Sequence, residues 1–279
     1  MKKILKKLFL AILSNDTIGK WSYKFSTFAW KIKFQRELIE RKKSEEGIIA
    51  LAQELFKDKV VLNGPFKGLK YPEFRSKSSS LYSKLIGSYE KELHGVFEEI
   101  ISTPYEQILD VGCAEGYYAV GLALKMPQAT IFAYDIDADA RGLTAKMAAL
   151  NKVSDRVKVE SDCNVQTLKN FSFKVKSLII SDSEGYEKQL FTKECLSNLS
   201  KTDLLIETHD FMDITISTGL EELFAHSHDL KIIQSIGDVI KAKTYQYPEL
   251  KGLDIKTKYR IFEEGRNFTD EWLYLKAKI

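Results

Sequence analysis

Cysteine is scarce in this chain of 279 residues. Cys113, Cys163 and Cys195 lie far apart, are odd in number and form no CxxC pair. That pattern argues against a disulfide framework or a thiolate zinc site and fits a reducing, cytoplasmic setting. Long apolar runs are also missing. The start, MKKILKKLFLAILSND, has the lysines and apolar residues of a signal peptide, but no small-residue cleavage site follows. Its uninterrupted run, Leu8 to Leu13, stays below the roughly 7–15 residues of an h-region. No stretch approaches the ~18–20 apolar residues that span a bilayer. No internal repeat is visible.

Net charge is small, +3, but it is unevenly spread. Residues 1–43 hold twelve Lys or Arg against three acids, a net of +9 that leaves −6 for the remainder. A basic arm on an acidic body points to an anionic partner, or to ordinary solvated helix faces. Trp21, Phe25, Phe28, Trp30 and Phe34 alternate with Lys and Arg there. Such a pattern suits either a local core or peripheral membrane contact through residues 1–43.

Residues 1–57 read as helical, with no Pro and few Gly. KVVLNGPFKGLKYPEF then carries a hairpin-like signal, and SKSSS at 76–80 reads as a loop and hinge. From residue 107 strand-like and helix-like segments alternate. The strand candidates are 107–111, 130–135, 157–161, 177–182, 203–208, 230–236 and 272–278; residues 137–151 are the clearest helix. Near-continuous apolar strands between helices predict a doubly wound, mostly parallel seven-stranded α/β sheet. The long connection 237–271 leaves room for an antiparallel insertion. A helical and hairpin cap over 1–84 and an α/β domain over 85–279 are the expected division.

The first strand leads into ILDVGCAEGYYAVG. Gly112 and Gly116 permit a tight turn and let a ligand lie against backbone. The segment is DxGxAxG rather than the GxGxxG of a dinucleotide site, and Asp110 and Glu115 stand where a pyrophosphate would be repelled. Carboxylates there suit an ammonium instead. Asp135 ends the second strand, where an acid receives ribose hydroxyls in nucleotide folds. An amino-acid end joined to a ribose end describes S-adenosylmethionine.

LDVGCAEG, FAYDID and VESDC resemble the first three motifs of class I S-adenosylmethionine-dependent methyltransferases, with a Rossmann-like fold over residues 85–279. By that resemblance Asp110, Gly112, Cys113 and Gly116 line the methionine end, Asp135 and Ile136 hold the ribose, and Asp162 with Cys163 meets the adenine. Ala114 stands where a glycine is commonest.

The acceptor signal follows the fourth strand. The Asn/Asp-Pro-Pro-aromatic turn usual in enzymes that methylate base amines is missing, which argues against a specific nucleic-acid partner. IISDSEGYEKQLF and the strand end LIETHD instead resemble the FkbM-type family, through Asp182, Glu184, Gly185 and Glu187 and a Glu-x-His at Glu207 and His209. Ser183 departs from the aliphatic residue usual there. The resemblance implies O-methylation of a sugar, polysaccharide or natural-product hydroxyl, with N-methylation or a non-catalytic, membrane-surface role as alternatives. Asp182, Glu184 and His209 are the catalytic candidates. Asp182, Glu207 and Asp210 are candidates to hold Mg²⁺, since hard oxygens suit it. Glu187 reads foremost as an acid opening the next helix. Tyr89 and Glu90 are placed at the cofactor mouth or on a plain helix. Arg266 is read as a surface residue or a partner for an acidic acceptor, and His226 and His228 as surface residues.

Overall fold

The computed structural model describes residues 16–77, 79–174, 176–266 and 270–278, in two compact units that meet in sequence at Glu54 and Leu55. The first is represented by one helix, α1 (Asp16–Leu55). Tyr23, Phe25, Phe28 and Trp30 are each more than 60% exposed, so these aromatics form no local core. Trp30 and Phe34 stack with centroids 5.2 Å apart, as their spacing of four on a helix allows. Among the described residues no helix is long and apolar enough to cross a membrane. The part of the membrane expectation that falls on residues 1–15 lies outside the described residues.

The second unit continues with α2 (Leu81–Ile86), α3 (His94–Ser102), β1 (Gln107–Val111), α4 (Tyr117–Lys125), β2 (Thr130–Tyr134) and α5 (Ala138–Leu150). Then come β3 (Val157–Glu160), α6 (Val165–Asn170), β4 (Ser177–Ser181), α7 (Glu187–Leu190), α8 (Lys193–Leu199), β5 (Asp203–Thr208) and α9 (Ile216–Phe224). It ends with β6 (His228–Gln234), α10 (Asp238–Thr244), α11 (Ile255–Phe262) and β7 (Glu271–Ala277). The strands form one seven-stranded sheet in the order β3-β2-β1-β4-β5-β7-β6. All neighbours are parallel except β5–β7 and β7–β6. The antiparallel insertion is therefore the closing strand itself, while the connection before it holds α10 and α11.

Helices cover both faces of the central strands. Every residue of β4 and β5 is buried, and Leu109, Ile131, Ile180 and Leu205 are fully inaccessible. Two-sided burial explains why these strands read as apolar runs rather than as alternating ones. The chain leaves β1 toward β2 on one side and returns as β4 on the other. That reversal opens a crevice outside the carboxyl ends of β1 and β4.

Residues 55–84 belong with the sheet, which moves the expected boundary at 84 back by some thirty positions. Phe66 is the reason. Its ring packs edge-on against Phe97 and Tyr117, each at 5.2 Å, and it fills the space a Cβ on Gly121 would need. The expected hairpin is reduced to one antiparallel bridge, Val60–Lys70. Ser76 and Lys77, expected in a hinge, are fixed to the sheet domain: Ser76 Oγ and the Lys77 amide donate to Glu115 at 2.8 and 3.0 Å.

Candidate active site

The glycine turn that follows β1 is a steric necessity before it is a ligand site. Gly112 has φ +86°, and a Cβ there would stand 1.8 Å from the carbonyl oxygen of Asp182. Gly116, at φ +93°, is closed off by Thr144 and Val120. Both glycines were expected to admit a ligand. Their side-chain space is taken by protein, and Gly112 seats the end of β4 against the end of β1.

Of the two acids expected to receive an ammonium, Glu115 is engaged elsewhere and Asp110 is buried away from the cavity. Glu115 is fully buried and accepts from Lys84 Nζ at 2.6 Å, Ser76 Oγ, the Lys77 amide and Tyr71 Oη. Burial alone would raise its pKa; Lys84 and these donors outweigh it and hold the carboxyl below its usual range. It ties residues 71–84 to the turn, and its repulsion of a pyrophosphate is neutralised. Asp110 is 2% exposed, is absent from the cavity wall, and keeps Oδ2 without a partner. Burial pushes its pKa up to about 7.

A cavity of about 730 Å³ lies over the carboxyl ends of the central strands. One end is walled by Gly112, Cys113, Ala114, Tyr134, Asp135, Ile136, Asp162 and Cys163. Asp135 is aimed by backbone amides: Ala114 N donates to Oδ2 at 2.9 Å and Asp137 N to Oδ1 at 2.8 Å. Each oxygen keeps a second lone pair for a hydroxyl. Ile136 is 84% exposed on the rim. Cys163 is buried, which lifts its thiol to about 12 and keeps it neutral and apolar. Lys77, Ser79 and Lys84 complete this end, the Lys77 ammonium paired with Asp137 and the Lys84 ammonium with Glu115. An aimed carboxylate beside an apolar wall fits the ribose and base of a nucleoside such as S-adenosylmethionine. Asp110 and Gly116 stand outside the wall.

The other end is built from side chains at the tips of β4 and β5. Asp182, Glu184, Glu207 and His209 all line the cavity. His209 Nδ1 lies 2.7 Å from Glu187 Oε1, while Nε2 lies 3.5 Å from Asp182 Oδ1 and 3.6 Å from Glu184 Oε2. Glu187 is fully buried and also accepts from Ser183 Oγ and Gly185 N. It is thus a partner for His209 rather than merely the acid that opens α7. Burial would lower the imidazole's pKa, but Glu187 and the neighbouring acids more than offset this and raise it. Asp182 is raised well above the carboxylate range by burial and by the charges of Glu207 and Glu184. Glu184 adopts φ +51°, a left-handed conformation that costs a non-glycine residue on the order of 1–3 kcal/mol.

Arg266 corrects a further expectation. It is largely enclosed by Glu90, Glu207, Glu264 and Asp270, with Nη1 2.6 Å from Glu207 and 2.7 Å from Asp270. Four carboxylates saturate it, so it is neither a surface residue nor a free partner for an acidic acceptor. Glu90 sits in this network and accepts from Tyr118 Oη, whereas Tyr89 reaches the cavity. Asp210 leaves the expected metal set: its Oδ1 accepts from Ser217 N, and His209 occupies the place beside Asp182 and Glu207. His226 is exposed, as expected, but His228 is buried, with Nε2 2.9 Å from the Thr202 carbonyl, because β6 begins there beside β7. Sequence reasoning missed Lys84 and gave Arg266 the wrong setting. A lysine and an arginine in otherwise mixed segments carry no periodic signal.

Comparison with known proteins bears on one end of this cavity. The profile of the ribosomal protein L11 methyltransferase family matches residues 96–180, from within α3 into β4. No curated protein matches significantly. Among solved structures, precorrin-6y C5,15-methyltransferase from Geobacter metallireducens GS-15 is 13% identical, with a TM-score of 0.42 over 66% of this chain and 86% of its own. Geranyl diphosphate methyltransferase in complex with SAM is 10% identical, with a TM-score of 0.41 over 71% and 90%. The chain is a mixed α/β fold built on a mostly parallel seven-stranded sheet, and residues 96–180 of it are similar to a methyltransferase family. The matched profile stops two residues before Asp182.

Proposed function

We propose that this chain transfers a methyl group from S-adenosylmethionine to a hydroxyl of a sugar or related polyhydroxylated acceptor. One observation carries the reading: the Asp182–Glu184–His209 cluster shares a cavity with the Asp135 end, and Gly112 joins the two. When bound, the cofactor supplies an electrophilic methyl group on a sulfonium. The chain's own part is to hold and deprotonate the nucleophile. A hydroxyl must lose its proton as it attacks, and a positioned base contributes about 10²–10⁴-fold. His209, oriented by Glu187, and the two acids beside its Nε2 offer that acceptor. The carboxylates lining this end also provide acceptors for the remaining hydroxyls of a sugar. A direct test is calorimetry with S-adenosylhomocysteine, followed by a screen of sugar, nucleotide-sugar and glycolipid acceptors for homocysteine release. No measurable S-adenosylhomocysteine binding by the wild type would sink the reading.

We further propose that the basic N-terminal region meets an anionic bilayer. The exposed aromatics of α1 and the lysines among them support this. Equal flotation with anionic vesicles by the full chain and by a chain lacking residues 1–43 would argue against it.

A further inference from the structure

We infer that Asp182, Glu207 and His209 form a binding site for a divalent transition-metal cation at the acceptor end of the cavity. The inference rests on the reading of that end as the acceptor site, and it names the ion that would acidify the hydroxyl there.

Convergence is the first ground. One ligand atom from each of the three residues lies within 4.8 Å of the others. Bonds of about 2.0–2.2 Å to a common ion would need only modest side-chain rotation. The second ground is the setting of the histidine. His209 is nine-tenths buried, its Nδ1 side faces the fully buried Glu187, and its Nε2 looks into the cavity. A carboxylate behind the distal ring nitrogen is the arrangement that fixes the tautomer of a metal-bound imidazole. The carboxylates are prepared in the same way. Arg266 holds one oxygen of Glu207, whereas Oδ1 of Asp182 is buried without a hydrogen-bond partner.

The donor set selects the ion. Mg²⁺ and Ca²⁺ favour oxygen throughout, whereas one imidazole with two carboxylates suits Mn²⁺, Fe²⁺, Co²⁺ or Zn²⁺. Glu184 stands 3.6 Å from His209 Nε2, is exposed, and is not one of the three ligands. With the ion in place His209 is a ligand, and Glu184 takes the proton released when the acceptor O–H bond breaks. The oxygen then forms its bond to the methyl carbon as the carbon–sulfur bond breaks, and the electron pair returns to sulfur, leaving S-adenosylhomocysteine.

The test uses the full chain, stripped with chelator and titrated calorimetrically with Mn²⁺, Zn²⁺, Mg²⁺ and Ca²⁺. One Mn²⁺ or Zn²⁺ ion per chain is expected, bound more tightly than Mg²⁺ or Ca²⁺. Glu207→Gln and His209→Asn should each lose at least about tenfold in affinity, and Glu187→Gln about 10–100-fold although it removes no ligand. Asp210→Asn should bind as the wild type does. S-adenosylhomocysteine binding by each variant reports that the fold is intact. Three results would overturn the site: no saturable ion binding, equal binding by His209→Asn, or a preference for Mg²⁺ or Ca²⁺. Full homocysteine release in chelator, without ion binding, would remove the ion and leave the methyltransferase reading standing. Ion binding by a chain that takes no S-adenosylhomocysteine would keep the site and remove that reading.

Discussion

The two ends of the cavity are built on different principles. At the proposed cofactor end the chain works with backbone: a left-handed turn, amides that aim Asp135, and motif acids that are buried inside the protein. At the acceptor end it works with side chains, where Asp182, Glu184, Glu187, Glu207 and His209 crowd the tips of β4 and β5. Backbone geometry recurs across proteins of one fold, whereas side-chain clusters vary with the substrate. The matched family profile, which ends at residue 180, follows the same division.

The strongest way to break the comparison is to show that the ends are not separable. Asp182→Asn and His209→Gln should lower homocysteine release by about 10²–10⁴-fold while S-adenosylhomocysteine affinity changes by less than about threefold. Asp135→Ala should do the reverse and abolish cofactor binding, since two backbone amides aim this carboxylate into the cavity. A large affinity loss in Asp182→Asn would mean that one cluster serves both ends. Gly112→Ala is the exception that both ends share. Its Cβ would meet the Asp182 carbonyl at 1.8 Å, so β4 must shift and the left-handed φ is strained as well. A loss of about 3 kcal/mol or more in stability, read as denaturant midpoint, is expected, with cofactor binding and turnover impaired together.

The sheet was legible because two-sided burial writes apolar runs into the sequence. All seven strands lie within two residues of their expected positions, as with 157–161 against Val157–Glu160 and 230–236 against His228–Gln234. Position in the motif was readable; direction was not. Asp110 and Glu115 flank the turn as expected, yet both are buried, and Lys84 and Tyr71 reach Glu115 from 31 and 44 residues away. Arg266 was misread, and the His209 contact of Glu187 was not foreseen, for the same reason, although Glu187 does open α7 as expected. Their partners are brought by β5 and by the residues preceding α3, and only tertiary folding reveals that company. The hairpin signal at 59–74 was overridden by Phe66, which anchors the segment to α3 and α4 rather than to a paired strand.

A finer test sharpens what the acceptor end does with its charge. Glu187 raises the pKa of His209, so the metal-free wild type should show an imidazole that titrates above its ordinary 6.5. Glu187→Gln removes the hydrogen bond and charge that do most to raise it, and the titration should move to lower pH. The protonated form of His209 stabilises the fold while the pH stays below its ordinary pKa. That contribution disappears as pH rises through the raised value, and Glu187→Gln should flatten this limb. Histidine carbon resonances followed from pH 5 to 9 would read it; an unchanged titration in Glu187→Gln would detach Glu187 from His209.

The smallest effect belongs to the cofactor end, where Asp110 is buried as an acid rather than used as one. Its carboxyl is raised from 3.8 to about 7, so between those values the folded chain binds more protons than the unfolded chain. Stability from this group is therefore full below about pH 4 and is lost as pH rises toward 7. The shift corresponds to at most about 4 kcal/mol. Asp110→Asn removes that loss but introduces an amide, whose unpaired hydrogens cost about 1–3 kcal/mol beside an oxygen position that has no partner. The variant should be more stable than the wild type at pH 8 by roughly 1–3 kcal/mol and no more stable at pH 4. Melting curves at the two values decide the matter. If Asp110→Asn instead melts lower at both and no longer binds S-adenosylhomocysteine, the carboxylate reaches the ligand after all, and the cofactor end depends on side chains as much as the acceptor end does.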